Sequence, residues 1–253
     1  MTELLTPDQI AETADAIASW QLPSGMIPWF PGGHADPWNH VEAAMALAVG
    51  GRIPEAERAY EWLRSIQRPD GSWHQYYVAT GVEQDKFDAN VIAYIATGVW
   101  HHWLLTGDRG FLETYFPVVE RAVDFVFDLQ QPRGEIIWAR HADGTPWSFA
   151  LLTGSSSMYH STRAALAVAR ELGVDREDWT ERILRLGGVV ADRPEGAFAP
   201  KNRWAMDWYY PVLSGALAGA AALDHLAERK HAFVMDGLGV RCVSDRPWVT
   251  TAE

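Results

Sequence analysis

The chain has 253 residues, of which 48% are hydrophobic and 21% are charged, a balance that favours a buried core and excludes a disordered chain. Its formal net charge of −12 argues against a nucleic-acid or anionic-membrane partner, because phosphate groups bind to basic surfaces. A single cysteine, Cys242, excludes an intrachain disulfide and a thiolate metal cluster. The N-terminal segment lacks the basic region of a signal peptide, and no apolar run reaches the ~18 residues of a membrane span. These features predict a soluble, cytoplasmic protein.

A Pro-x-Gly turn recurs four times along the chain, each time with an aromatic residue a few positions later. The turns are Pro23–Gly25, Pro69–Gly71, Pro132–Gly134 and Pro194–Gly196. In the first three copies a glutamine stands two residues before the proline. Proline cannot continue a helix and glycine accepts a positive φ, so each turn is expected to end a helix. The repetition indicates a chain of similar structural units.

Each unit is predicted to contain two helices, because apolar residues recur at helical spacing on both sides of each turn. In chain order, the predicted lead-in helices are Pro7–Trp20, Ile53–Ile66, Phe111–Leu129 and Arg176–Val190. The predicted second helices, which are more apolar, are Pro37–Val49, Ala89–Leu105, Ser156–Leu172 and Val212–Leu226. No alternating strand of more than a few residues is evident, and residues 130–138 are predicted to form a short hairpin.

Helical hairpins with apolar second helices favour a ring in which these helices lie inside and the lead-in helices lie outside. The predicted fold class is therefore all-α, a partial (α/α) toroid of about four hairpins plus an incomplete fifth, in a single domain over residues 1–253. The loops after the turns, here called mouth loops, would open at one end of the ring, where a site is expected. The exposed inner-helix faces of an open ring would be available for oligomerisation.

Three family resemblances accompany this pattern. The segment Gln67–Trp73 resembles the QW-type repeat of terpenoid cyclases and protein prenyltransferases, whereas Thr106–Glu113 and Phe116–Ala122 resemble six-hairpin glycoside hydrolases. The whole chain also resembles actinobacterial proteins labelled prenyltransferases, notably at residues 29–47 and 207–217. Both superfamilies form (α/α)6 toroids, so the resemblance implies that fold. Because six hairpins at this spacing need a longer chain, the sequence is expected to be shortened at its C-terminus.

Carboxylates recur in and beside the mouth loops. Asp36 and Asp88 stand at N-cap positions, and Asp207 lies among four aromatic residues. Glu42 lies among apolar residues of an inner helix, where burial would make its ionisation costly. Two carboxylates across a cleft can cleave a glycosidic bond, one as acid and the other as base or nucleophile. The predicted catalytic residues are therefore Glu42, Asp36, Asp88 and Asp207, with Glu42 as the general acid.

Polar and aromatic side chains of the same loops are predicted to bind the substrate, because aromatic rings stack on sugars and polar groups pair with hydroxyls. The predicted substrate-binding residues are His34, Trp38, His40, Tyr77, Asn90, Trp147, Trp204, Trp208, Tyr209 and Glu253, and Trp38, Trp204, Trp208 and Tyr209 are expected to line one cleft. No metal site is expected, since the histidine spacing matches no standard zinc pattern. No cofactor is expected either, because nucleotide-binding glycine motifs are missing from the sequence.

These observations favour a carbohydrate-active enzyme of the six-hairpin type, acting on a glycosidic bond of an oligosaccharide or another small-molecule substrate. A terpenoid cyclase or prenyltransferase is the alternative enzyme. The aspartate-rich acid and magnesium motifs and the full zinc ligand set implied by those families are missing from the sequence. A non-catalytic helical-repeat binding scaffold is the third hypothesis.

Overall fold

The computed structural model describes residues 5–246 and residue 249, and this part of the chain is mostly helical. The lead-in helices are α1 (Pro7–Trp20), α3 (Ile53–Ile66), α6 (Arg109–Phe127), α8 (Glu177–Asp192) and α10 (Gly219–Phe233). The second helices are α2 (Pro37–Val49), α4 (Ala89–Ala93), α5 (Ile95–Thr106), α7 (Leu152–Leu172) and α9 (Met206–Leu213). Within the described residues, no helix has the length and apolarity that would let it cross a bilayer.

The helices form an inner and an outer layer. The second helices pack against one another in the series α2, α4 and α5, α7 and α9, while the lead-in helices pack on the outside of this series. The prediction of an all-α partial (α/α) toroid is confirmed. The inner helix α7 has buried residues on all of its faces, as predicted for an element with neighbours on both sides, whereas the buried residues of α2 lie on one face.

The strands are short and pair only locally. They form three two-stranded antiparallel sheets within the described residues: β1 (Tyr76–Val78) with β2 (Gly81–Gln84), β3 (Phe87–Asp88) with β4 (Ala139–Arg140), and β5 (Val234–Met235) with β6 (Gly239–Val240). The hairpin predicted at residues 130–138 is present as a single bridge between Gln130 and Ile136. The pairing of β3 with β4 joins the second mouth loop to the third.

Local sequence signals account for several helix ends. Thr6 caps α1 through a capping box, in which its hydroxyl accepts from the Gln9 N–H and the Gln9 side chain bonds back to Thr6. Asp108 caps α6 through its side chain, which accepts the Phe111 backbone N–H at 3.1 Å. Gly107 and Gly173, both with left-handed backbone, end α5 and α7.

The predicted helix bounds are confirmed for the first three helices and differ further along the chain. The helix predicted over Ala89–Leu105 is divided at Tyr94 into α4 and α5. The prediction of one helix over Val212–Leu226 is wrong, because the chain turns between α9 and α10. The turn is made at Gly215, whose φ of +79° is incompatible with a right-handed helix.

One hydrogen-bond pattern joins each of the first three turns to the next hairpin. The glutamine before the turn donates from Nε2 twice, once to the glycine carbonyl of its own turn and once to a backbone carbonyl of the next lead-in helix, at 2.9 to 3.1 Å. The acceptors are Gly25 and Glu55 for Gln21, Gly71 and Val118 for Gln67, and Gly134 and Arg182 for Gln130. We call this arrangement the glutamine clamp.

The turn glycines pack directly on the backbone of the next lead-in helix. All three have positive φ, between +88° and +128°. A Cβ atom on Gly25, Gly71 or Gly134 would lie 2.3, 2.1 or 2.5 Å from the carbonyl oxygen of Arg58, Arg121 or Arg185, respectively. Both the conformation and the space at these positions therefore require glycine. Successive turns are thereby held at equivalent places in successive hairpins.

The fourth turn lacks this contact. Asp192 stands where the other units have glutamine, and a Cβ on Gly196 would meet no atom within 4 Å among the described residues. Gly196 nevertheless has the same left-handed backbone, with a φ of +73°. A substitution at Gly196 therefore measures the cost of a positive φ alone, without the steric clash that the other three turn glycines would cause.

We expect Gly71→Ala to lower the free energy of unfolding by ~3–5 kcal/mol, because the new methyl group would displace the Arg121 carbonyl of α6. Gly196→Ala should cost only the ~1–2 kcal/mol of a left-handed non-glycine residue. Urea unfolding of both variants measures the difference. Equal losses would show that the turn glycines act through their backbone conformation alone.

Candidate active site

A cleft of about 450 Å³ opens at the mouth loops. Its walls come from the loops of all four hairpins and from the first residues of α4, α7 and α9. Three of the carboxylates predicted to be catalytic, Asp36, Asp88 and Asp207, line this one cleft. The structure thus brings together acidic residues that are far apart in the sequence.

Asp36 is buried and caps α2. Its carboxylate accepts the backbone N–H of Asn39 at 3.0 Å, the Asn39 side-chain amide at 2.7 Å and the Trp29 indole N–H at 2.7 Å. Three donors therefore satisfy this carboxylate within the protein. Its evident role is to begin α2 and to hold Trp29 and Asn39 in the wall of the cleft.

Asp88 is 6% exposed and caps α4, accepting the backbone N–H groups of Asn90 and Val91 at 3.0 and 3.3 Å. Burial raises the pKa of Asp88 to about 6, in spite of the Lys86 charge and the hydrogen bonds from backbone amides and from Trp138. Lys86 lies over the Trp138 ring, with Nζ 4.2 Å from its centroid. Asp88 thus changes its charge near neutral pH.

Asp207 is half-buried on the first turn of α9. One oxygen, Oδ1, accepts both the Thr153 hydroxyl at 2.6 Å and the Thr153 backbone N–H at 3.3 Å. Burial raises the pKa of Asp207, while the Thr153 hydrogen bonds act in the opposite direction. The contact also ties the start of α7 to the start of α9.

Aromatic rings form much of the cleft wall. Trp29 and Tyr76 stand on one side, with ring centroids 5.9 Å apart, and Trp138 stacks on Phe149 at 5.5 Å on another. Trp204 also lines the cleft and is 37% exposed. Such surfaces suit the apolar faces of sugar rings. Of these residues only Trp204 was predicted from the sequence, because the remaining rings carry no signal that separates them from core residues.

Two amide oxygens in the cleft are buried without a hydrogen-bond donor. They are Oε1 of Gln75 and Oδ1 of Asn90, on side chains that are 8% and 7% exposed. Asn90 was predicted to bind substrate, whereas Gln75 was not selected. A lone glutamine in a loop has no sequence signature, and its unpaired oxygen becomes evident only in three dimensions.

Glu42 differs from its prediction. It is exposed rather than buried, and it accepts hydrogen bonds from the Tyr94 hydroxyl and, at 3.3 Å, from the Trp38 indole. The burial prediction is wrong because the neighbouring Val41 faces the core, which turns Glu42 toward the space between the inner helices. There it lines a second cavity of about 320 Å³ with Tyr210 of α9. A catalytic role for Glu42 stays a prediction.

His40 and Tyr77 are buried and do not line the cleft. The buried His40 ring contacts the Ile27 N–H at 3.1 Å and the Ala59 carbonyl at 2.9 Å, and burial lowers its pKa to about 4. Tyr77 is also buried and accepts the His74 backbone N–H at 2.9 Å. Both side chains therefore have partners inside the fold, and their predicted substrate-binding roles stay predictions.

Trp208 and Tyr209 do not line the cleft, whereas Trp38 and Trp204 do. Trp208 is buried, stacks on Phe233 of α10 at 5.3 Å and donates to backbone carbonyls of that helix. Tyr209 packs against the same cluster. The reason is helical geometry, because the residues that follow Asp207 rotate by about 100° each away from the cleft.

The other predicted substrate-binding residues lie behind the wall or outside the described residues. His34 stacks on Tyr76 at 4.5 Å and pairs with Glu83 at 2.9 Å. Trp147 contacts Trp138 edge-on at 4.6 Å. Glu253 lies outside the described residues, so its predicted role stays a prediction. In the described part of the chain, no three His, Cys, Asp or Glu side chains are grouped so as to hold a metal ion.

No known family profile matches the chain. It is 55% identical over 251 residues to the MMP endo-(1,4)-3-O-methyl-alpha-D-mannosidase of Mycolicibacterium hassiacum, in an alignment that covers 99% of this chain and 69% of the relative. The chain belongs to the family of this endo-mannosidase. Membership places it among the carbohydrate-active enzymes, which confirms the favoured class of function at that level.

Solved structures agree on the fold of this family. The GH63 mannosylglycerate hydrolase from Thermus thermophilus, in complex with Tris and D-glycerate, superposes with a TM-score of 0.71 at 11% identity, over 95% of this chain and 82% of the other. The endo-beta-1,4-glucanase CMCax from Acetobacter xylinum gives 0.67 at 13% identity, over 96% and 85%. The resemblance to six-hairpin glycosidases is confirmed, and the resemblance to QW-repeat proteins is not shown.

The raised pKa of Asp88 makes stability depend on pH. A carboxyl group titrates near ~3.9 in the unfolded chain, whereas Asp88 titrates at about 6 in the fold. Between these values only the folded chain holds the proton, so its stability falls as the pH rises, by ~3 kcal/mol in total. Asp88→Asn keeps a side-chain oxygen that can accept the backbone N–H groups of α4, and it removes the carboxyl group that titrates. Urea unfolding at pH 4 and pH 7 should show the variant gaining ~2 kcal/mol over the wild type across that range, because part of the total is already lost at pH 4.

A free-energy difference between variant and wild type that does not change with pH would contradict the raised pKa. Asp70→Asn supplies the control. Asp70 is an exposed turn aspartate outside the cleft, and it bonds Ser72 of its own loop. Its substitution tests whether the effect belongs to the buried site or to any aspartate outside the helices.

Proposed function

We propose that this chain hydrolyses the glycosidic bond between (1,4)-linked 3-O-methylmannose residues, with carboxylates of its mouth loops as the reacting groups. The observation that carries the proposal is the meeting of Asp36, Asp88 and Asp207 in one cleft walled by tryptophan. The name of the Mycolicibacterium hassiacum relative supplies the substrate class. A cleft of about 450 Å³ suits part of an oligosaccharide chain.

In this proposal Asp207 is the general acid. Its two protein donors both reach Oδ1, from the same Thr153, and burial already raises its pKa. A general acid must carry a proton on an oxygen that faces the leaving group. Because Asp207 is only half-buried, a bound sugar would remove more water from it and raise its pKa further.

Asp88 is the second carboxylate of the proposal. Its surroundings supply a helix N-terminus, the Lys86 charge and the Trp138 indole, all of which favour the ionised form above a pH of about 6. It is already buried in the free protein, so a bound sugar changes its solvation less than that of Asp207. Asp36 has three protein donors and acts as a positioning residue for Trp29 and Asn39.

The remaining cleft wall suits a methylated sugar. Val91, Leu151 and Met206 line the cleft beside the aromatic rings. Aliphatic and aromatic surfaces favour contact with methyl ethers and with the C–H faces of sugars, because the contact removes apolar surface from water. An unmethylated polysaccharide would gain less from this wall, so we expect methylated chains to be the better substrates.

Asp207→Asn tests the assignment of the acid. On an oligosaccharide with an ordinary sugar leaving group, we expect turnover to fall by ~10²–10⁴-fold. On a 2,4-dinitrophenyl glycoside of a 3-O-methylmannose chain, the loss should be less than ~10-fold, since this leaving group departs without a proton. Steady-state rates on the two substrates give the comparison. Asp88→Asn should reduce both rates.

If Asp88→Asn instead keeps its activity on the dinitrophenyl substrate and loses it on the ordinary oligosaccharide, Asp88 is the general acid and Asp207 is the second carboxylate. Glu42→Gln belongs in the same series, because Glu42 lines the neighbouring cavity and shares Trp38 with the cleft. Absence of cleavage by the wild-type chain on every (1,4)-linked 3-O-methylmannose substrate would contradict the proposed function itself.

A further inference from the structure

We propose that Gln75 and Asn90 determine substrate specificity by accepting hydrogen bonds from free hydroxyl groups of the sugar in the cleft. This inference rests on the proposed function and adds to it the chemical state of the sugar that binds. A sugar methylated at some positions and free at others would satisfy the cleft, whereas a fully methylated sugar would not. We call Gln75 Oε1 and Asn90 Oδ1 the acceptor pair.

The acceptor pair is incomplete within the protein. Each side chain is more than nine-tenths buried and lines the cleft, and neither oxygen has a hydrogen-bond partner there. Buried amide oxygens almost always have donors, because an unpaired one loses its hydration without replacement. A ligand that brings donors into the cleft would supply what these two oxygens lack.

Both side chains are buried in the wall of the cleft, which limits their movement. Gln75 stands beside Tyr76 in the cleft wall, and its carbonyl oxygen is the atom that has no partner. Asn90 lies in the first turn of α4, where its backbone N–H donates to Asp88, and a Cβ on Gly154 of α7 would lie 3.9 Å from the Asn90 Cβ. Fixed acceptors discriminate between ligands better than mobile ones do.

The chemistry of the two oxygens selects the ligand group. An amide oxygen accepts and cannot donate, so its partner must carry a hydrogen on oxygen or nitrogen. A sugar hydroxyl has that hydrogen and a methyl ether does not. The apolar residues Val91, Leu151 and Met206 line the same cleft and suit a methyl group. The cleft therefore offers acceptors for free hydroxyls and apolar surface for ethers.

The test uses (1,4)-linked 3-O-methylmannose oligosaccharides in which the 2-hydroxyl or the 6-hydroxyl is replaced by hydrogen or by a methyl ether. We expect the wild-type kcat/KM to fall by ~10- to 100-fold for at least one of these replacements. Gln75→Met and Asn90→Ala should each lose ~10-fold on the parent oligosaccharide. On the analogue that lacks the hydroxyl bound by the substituted residue, the kcat/KM of the variant should be close to that of the wild type.

Gln84→Met is the matched control, because Gln84 is an exposed glutamine of β2 outside the cleft. It should leave the kcat/KM for every oligosaccharide unchanged. Melting temperatures of all variants identify any loss that comes from unfolding. Calorimetry gives the dissociation constant of each oligosaccharide for each variant, with Asp207→Asn added to prevent cleavage. These constants show independently whether the loss caused by a substitution depends on the matching sugar hydroxyl.

The acceptor pair is overturned if both variants lose the same factor on every oligosaccharide, or if the wild type cleaves all of the substituted analogues as fast as the parent. If the wild type cleaves nothing, the proposed function fails, and the dissociation constants still decide the acceptor pair. The acceptor pair is supported if a substitution weakens binding of the parent oligosaccharide more than binding of the analogue that lacks the matching hydroxyl. Failure of every oligosaccharide to bind overturns it as well.

Discussion

The glutamine clamp is the contact on which the rest of the structure depends. A single side-chain amide hydrogen-bonds its own turn and the next lead-in helix, and the adjacent glycine allows the two backbones to touch. Neither helix hairpin could rotate or slide against its neighbour without breaking these contacts. Repetition at Gln21, Gln67 and Gln130 fixes the relation between successive hairpins in the same way each time.

A fixed relation between hairpins is what assembles the cleft. Each turn is followed by a mouth loop and then by the N-terminus of an inner helix, so equivalent turns bring the mouth loops to one place. Aspartates are favoured at helix N-termini because they satisfy free backbone amides and the helix dipole. Asp36 and Asp88 cap their helices in this way, and Asp207 lies in the first turn of α9. The same preference that starts the helices thereby concentrates carboxylates in the cleft.

The sequence predicted the features that depend on periodicity and local capping. It yielded the bounds of α1, α2 and α3 and the convergence of three aspartates. It failed where side-chain direction decides the outcome, as for Glu42, which faces the interior space of the ring, and for Trp208, which faces α10. The unpaired oxygen of Gln75 could not be predicted, because burial without a donor is a property of the assembled cleft.

The most direct test of a carboxylate site in the cleft is a crystal structure of the Asp207→Asn variant with a (1,4)-linked 3-O-methylmannose oligosaccharide. We predict one sugar ring between the Asp88 carboxyl group and the side-chain amide at position 207, stacked against the tryptophan wall. The glycosidic oxygen of that sugar should lie within hydrogen-bond distance of the substituted side chain, where the wild-type acid would deliver its proton. An oligosaccharide bound in the cavity beside Glu42, with the cleft between the three aspartates filled only by water, would contradict this prediction.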